Sequence, residues 1–191
     1  SLNGNRIDKT DDKYFETIRG KKISMIYQDP VSALSPLMRV GEQISDIYRY
    51  NVNATKVEGW NLALNLLESL GIVNPKKVAY RYPHQMSGGM AQRINIAMAL
   101  VCEPQLLLAD EPTTGLDVTT QMQVLELLHT QLIRLSASLL FVSHDLRVVK
   151  NICTKVGVMC GGKIVEFGNS SEIFSNPSHP YTKNLLECAN I

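Results

Sequence analysis

Apolar positions along the chain recur at two different periods, and the switches between them mark out the elements. "KKISMIYQD" (21 to 29) runs apolar through Ile23, Met25 and Ile26 as a strand does, then ends on the polar pair Gln28-Asp29 before Pro30. From about 40 to 72 the spacing becomes helical, first with Val40, Ile44 and Ile47, then with Leu62, Leu66 and Leu70; Gly71 stands where a C′ residue should. After Ser87, which suits an N-cap, Met90, Ile94, Met98 and Val101 repeat at helical intervals until Pro104. "QLLLAD" is a continuous apolar run of strand length, the pattern of a parallel strand buried on both faces. A helix carrying Val118, Met122, Leu125 and Leu132 is expected after Asp117, and "SLLFVSHD" then repeats the buried-strand pattern. "KVGVMCGGKIVEFG" reads as a hairpin about Gly161-Gly162, and Asn3-Gly4 is a further turn signal. Strands alternating with helices in this way predict an α/β fold, a parallel sheet with helices packed on it.

Composition narrows the picture. The 191 residues suit one domain, or one domain with a small inserted subdomain. Nineteen basic against 18 acidic side chains give a net charge of +1, without the basic excess of a nucleic-acid groove. No apolar run reaches the 18 or so residues of a membrane-spanning helix. Cys102, Cys153, Cys160 and Cys188 are scattered with no CxxC pair, so reduced thiols in a cytosolic protein are expected rather than a zinc site or disulfide framework.

In open α/β sheets ligands gather at the carboxyl ends of the strands, and three strand ends here are polar: Gln28, Asp110-Glu111 and Ser143-His144. Asp110-Glu111 reads either as surface acids at a turn or as two tasks of phosphoryl transfer, one carboxylate for Mg²⁺ and one for the attacking water. His144 alone is an ordinary loop histidine, although imidazole at that place can donate to a phosphate oxygen. Gln28 alone is a solvated amide. Ser87-Gly88-Gly89 reads either as a helix cap or as a phosphate site, where backbone N–H groups approach an anion at a helix N-terminus. His84, His129 and His179 read as structural.

Taken in order, these stretches resemble the ATP-binding subunits of ABC transporters. "MSGGM" with "AQR" is similar to the signature motif, "LLLADEP" to Walker B with its glutamate, "GLD" to the D-loop, "VSHD" to the switch-histidine loop and "YQDP" to the Q-loop. "QDPVSALSPLMRVGEQI", "YPHQMSGGM" and the tail "NPSHPYTKNLL" resemble the branch that imports oligopeptides, dipeptides and nickel. Met90 departs mildly from the glutamine that ends the general signature motif. The resemblance implies a P-loop NTPase-like core with an inserted helical subdomain. Its boundaries would be 1–39 for partial core with Q-loop, 40–86 for the helical subdomain, 87–168 for the core from signature helix to switch histidine, and 169–191 for the tail. It implies ATP and Mg²⁺ as ligands. Asp110 would hold Mg²⁺ with Gln28 in contact with the ion or the attacking water; Glu111 would be the general base and His144 would touch the γ-phosphate. Ser87, Gly88 and Gly89 would bind the γ-phosphate of ATP held by a second ATPase subunit, with Asp117 at that dimer contact. Further partners would be transmembrane permease subunits and, indirectly, an extracytoplasmic substrate-binding protein. The place of work would be the cytoplasmic face of the cell membrane.

A G-x-x-x-x-G-K-[ST] loop is expected ahead of the Q-loop in this family. Gly20-Lys21-Lys22 lacks the earlier glycine and is followed by Ile23. The expectation is therefore a chain truncated at its N-terminus, inactive by itself. The alternative is a non-catalytic remnant or interface subunit that lends only its signature motif to a partner ATPase. An ABC ATPase of DNA repair fits the balanced charge and the tail less well.

Overall fold

The computed structural model describes Leu2, Gly4, Ile7 and residues 12–190. Asn3 of the expected Asn3-Gly4 turn lies outside the described residues, while Gly4 has φ +83°. The chain divides into two compact units, Ser1–Leu140 and Phe141–Ile191.

In the first unit α1 (Asp12–Ile18) leads through a turn into β1 (Ile23–Ile26). Four helices follow: α2 (Val40–Val52), α3 (Lys56–Ser69), α4 (Pro75–Ala79) and α5 (Gly88–Leu100). Then come β2 (Leu106–Asp110), α6 (Val118–Leu135) and β3 (Ser138–Val142), the last running into the second unit. The strand order is β1-β2-β3, and β1 pairs parallel with β2, Ile23 with Leu106 through to Ile26 with Ala109. The parallel sheet with helices is thus as expected.

The run from 40 to 72 is two helices, not one. Asn53 turns left-handed (φ 56°), and Thr55 restarts the chain as an N-cap. The Thr55 hydroxyl accepts from the Glu58 amide (3.3 Å), and the Glu58 carboxylate accepts from the Thr55 amide (2.8 Å), a reciprocal capping box. The Thr55 hydroxyl also donates to that carboxylate (2.7 Å), and this bond above all, with that of the Thr55 amide, draws the Glu58 carboxyl below its usual range. Gly71 (φ +71°) and Ser87 stand where the sequence places them, after α3 and at the N-cap of α5.

The two-sided burial expected for "LLLAD" is not observed. Burial alternates: Leu107 and Ala109 are buried with Ile26 on one face, whereas Leu106, Leu108 and Ile23 are half-buried on the other and Met25 is exposed. β3 alternates likewise, with Leu140 exposed. An apolar run reports what a strand tolerates, not how many layers lie against it. On α6 the buried stripe is Val124, Leu125, Leu128 and Leu132, while Val118 and Met122 face solvent.

The helices after β1 pack tightly because two of them carry glycine at the contact. A Cβ on Gly41 of α2 would lie 2.7 Å from the Ala79 Cβ and 2.9 Å from Trp60; one on Gly59 of α3 would lie 2.6 Å from the Ser45 hydroxyl. Trp60 and Tyr80 meet with ring centroids 5.0 Å apart, and the Arg39 guanidinium lies over Tyr80 at 5.3 Å.

The second unit holds α7 (Leu146–Ile152), the antiparallel hairpin β4 (Lys155–Cys160) and β5 (Lys163–Asn169), α8 (Ser170–Ser175) and α9 (Pro180–Cys188). The hairpin turns at Gly161 and Gly162, both with positive φ, as predicted. Glu166 accepts from the Ser178 and His179 amides (2.7 and 3.1 Å), tying the tail to the hairpin. Among the described residues no helix is long and apolar enough to cross a membrane.

Alanine in the middle of a helix ordinarily stabilises relative to glycine by up to about 1 kcal/mol. At Gly41 and Gly59 the sign reverses: Gly41→Ala and Gly59→Ala each cost about 1–3 kcal/mol by overpacking. Denaturant unfolding measures this, and a variant as stable as the parent would show that the helices separate freely.

Candidate functional site

Two residues beyond the paired Ile26 and Ala109 lie Gln28 and Glu111, so the parallel register alone sets them side by side at the carboxyl ends of β1 and β2. The Gln28 amide Nε2 donates to Glu111 Oε2 at 3.1 Å, and the Thr114 hydroxyl donates to the same oxygen at 2.9 Å. Glu111 itself is held at φ 43°, a left-handed conformation that a non-glycine residue adopts rarely and at a cost of about 1–3 kcal/mol. Pro112 follows it and is buried, and the Thr114 amide closes the turn by donating to the Glu111 carbonyl at 3.1 Å.

The exit of β1 is braced from two sides. Asn95, buried in the middle of α5, donates from Nδ2 to the Tyr27 carbonyl at 3.1 Å, one residue before Gln28. Beyond Gln28, Asp29 Oδ1 accepts from the Val31 and Ser32 amides, and these donors, the Ser32 hydroxyl above all, pull its carboxyl below the usual range. Gln43 of α2, also buried, accepts from the Ser35 amide (2.8 Å) and donates to the Ser35 and Met38 carbonyls (3.0 Å each). The segment from Gln28 to Met38 is therefore stitched to α5 at one end and α2 at the other.

Asp110 ends β2 half-buried beside Glu111. Its carboxylate and the Gln28 amide oxygen are hard oxygen donors, which suit Mg²⁺. Among the described residues no three His, Cys, Asp or Glu side chains cluster as a metal cage. Mg²⁺ keeps several waters and takes only one or two protein carboxylates beside phosphate.

Ser87, Gly88, Gly89 and Asp117 occupy a different place, an open cleft of about 640 Å³ that none of Gln28, Asp110 or Glu111 lines. Here the N-termini of α5 and α6 converge. Ser87 Oγ accepts from the Met90 amide (3.4 Å) as N-cap of α5, while Asp117 accepts from the Thr120 amide (3.0 Å) and hydroxyl (2.6 Å) as N-cap of α6. A Cβ on Gly89 would meet Thr120 Cγ2 at 2.7 Å, so only glycine lets the two starts approach. Lys77, Arg81 and Arg93 line the same cleft. Arg93 spends its guanidinium on the Leu70 and Gly71 carbonyls (2.9 and 3.2 Å) and on Gln123 (3.2 Å), locking α5 to the end of α3 and to α6. Positive helix ends and basic side chains give the cleft the chemistry of an anion site.

His144 belongs to the second unit, exposed on the loop before α7, whose N-cap Asp145 accepts from the Arg147 and Val148 amides. His84 stacks on Tyr82 with centroids 5.8 Å apart, His129 is exposed on α6, and His179 Nδ1 caps α9 by accepting from the Tyr181 amide. Asn95 and Thr114 escaped the sequence reading. A polar residue inside the apolar "INIAMAL" was the only signal for the first.

Gly20-Lys21-Lys22 is a turn from α1 into β1. The Gly20 amide donates to the Ile23 carbonyl, and the Lys21 and Lys22 amides donate to Ile18. A phosphate loop instead follows a strand, opens a helix and leaves its amides for the ligand.

Residues 1–114 match the family model for the ABC transporter, and residues 165–190 match the C-terminal region of oligopeptide/dipeptide transporters. The chain is 47% identical over 175 residues to the oligopeptide transport ATP-binding protein OppD of Bacillus subtilis, covering 92% of this chain and 49% of the relative. It is 43% identical to the probable D,D-dipeptide transport ATP-binding protein DdpD of Escherichia coli, covering 99% and 58%. The chain thus spans about half the length of the curated relatives it matches. Among solved structures, the dimeric post-hydrolysis state of the ATP-binding cassette MJ0796 bound to ADP and Pi superposes with a TM-score of 0.77 at 25% identity, over 88% of this chain and 72% of that one.

The Thr120 hydroxyl and amide draw the Asp117 carboxyl below its ordinary value of 3.8. A depressed folded-state value means that the ionised cap stabilises α6 above that pH and that the gain is lost as pH falls through the folded value. Asp117→Ala accordingly lowers the melting temperature at pH 7, and the gap to the parent closes in acid below pH 3.8. A gap independent of pH would show that the ionised carboxylate plays no part.

Proposed function

Because the chain belongs to the ABC transporter family, we propose that it is part of an ATPase subunit that drives import of peptides into the cell. The observation that carries this is the in-register Gln28–Glu111 contact, a carboxylate and an amide at adjacent strand ends beside a second carboxylate, Asp110. Glu111 is the general base, accepting a proton from the water that attacks the γ-phosphate, and Gln28 orients that water and reports nucleotide state to the segment that follows it. Asp110, with Gln28, holds Mg²⁺, which when bound neutralises charge on the phosphates. His144 donates to the γ-phosphate from the switch loop.

The cleft at Ser87–Gly89 takes the γ-phosphate of ATP carried by a second ATPase subunit, and Asp117 lies at that contact. Support comes from its separation from the Glu111 cluster within the first unit and from its convergent helix N-termini. Permease subunits receive the work through the helices between Val40 and Gln85 at the cytoplasmic face of the membrane, and a substrate-binding protein delivers the cargo. Peptide is favoured over nickel as that cargo by the names of the relatives and by the match at residues 165–190.

The 191 residues alone bind nucleotide weakly and turn it over little, since the amides of the Gly20 turn are already spent on Ile18 and Ile23. In the whole subunit assembled with its permease, Glu111→Gln retains ATP binding and lowers kcat by about 100-fold or more, the range of general-base catalysis. Steady-state ATPase rates measure it; undiminished hydrolysis overturns the assignment. Transported peptide stimulates that ATPase and Ni²⁺ does not, and the reverse pattern would make nickel the cargo.

A further inference from the structure

We infer that Thr114 is a positioning residue for Glu111 and, through it, for the attacking water; the inference rests on the ATPase reading above. Its hydroxyl donates to Glu111 Oε2 at 2.9 Å, and the Gln28 amide donates to that same oxygen at 3.1 Å. Two donors on one carboxylate oxygen, one from the exit of β1 and one from the turn after β2, restrain the rotation of the carboxylate and so where Oε1 points.

The backbone prepares this contact. Glu111 sits in the left-handed region at φ 43°, and the Thr114 amide donates to the Glu111 carbonyl at 3.1 Å, so the strained residue and its hydroxyl donor close one tight turn. Thr113, the neighbouring threonine, faces the other way: it is buried and its hydroxyl accepts from Gln121 Nε2 at 3.2 Å. The two adjacent threonines thus divide the work, Thr113 anchoring the turn to α6 and Thr114 holding the carboxylate. Thr114 is exposed, so truncating it removes the hydroxyl without opening a cavity. Gln28 reaches Glu111 from another strand, 83 residues away in sequence, whereas Thr114 lies in the same turn as Glu111.

The test uses the whole subunit with its permease, comparing Thr114→Ala, Thr114→Ser and Glu111→Gln with the parent. Thr114→Ala is expected to lower kcat by about tenfold, the loss of one hydrogen bond to a charged group, with the KM for ATP and the melting temperature unchanged. Thr114→Ser restores the parent kcat, because serine keeps the hydroxyl. Parent-like kcat in Thr114→Ala overturns the inference, as does an equal loss in both variants, which would make the methyl group the working part. No difference between parent and Glu111→Gln would instead remove the general-base role of Glu111 on which the inference rests, and no ATP hydrolysis by the parent would remove the ATPase reading itself.

Discussion

The in-register parallel pairing of β1 with β2 is the constraint on which the candidate site depends. Four paired positions, Ile23 to Ile26 against Leu106 to Ala109, decide that Gln28 and Glu111 leave the sheet side by side. A slip of one residue would turn each side chain to the opposite face and part them. The buried face of Ile26, Leu107 and Ala109 resists that slip, since moving it would expose three apolar side chains that are now covered. Burial in the core thereby holds a polar contact 3.1 Å long in a loop.

The helices extend that constraint outward. Asn95 ties the middle of α5 to the Tyr27 carbonyl, while the first turn of α5 presents Ser87 and Gly89 to the cleft shared with α6. One rigid helix thus links the two candidate half-sites. Gln43 gives α2 the same hold on the far end of that segment, and the glycine contacts at Gly41 and Gly59 keep α2, α3 and α4 close enough to move together.

Much of this was legible because local chemistry and tertiary structure agree. Ser87 and Asp117 cap the helices that follow them, Gly71 closes α3, Gly161-Gly162 turns the hairpin, and Gln28, Asp110-Glu111 and His144 stand at or just beyond strand ends. The break at Asn53 was also written in the chain, as Thr55 followed three residues later by Glu58, but the helical spacing of Val40, Ile44 and Ile47 before it and of the leucines after it masked it. Other features lie outside any one-dimensional pattern. The left-handed Glu111 depends on the turn that closes around it, Asn95 reads as an interruption in an apolar helix until its partner across 68 residues is known, and one-sided covering of β2 is a property of layers.

In the proposed function Ser87–Gly89 and Asp110–Glu111 belong to two different nucleotide sites. The most direct test places Ser87→Arg on one subunit and Glu111→Gln on its partner, purified as a mixed pair of whole subunits. One composite site then remains intact, and ATP hydrolysis well above that of either variant paired with itself is predicted. Hydrolysis no greater than theirs, with the parent pair active, would contradict it.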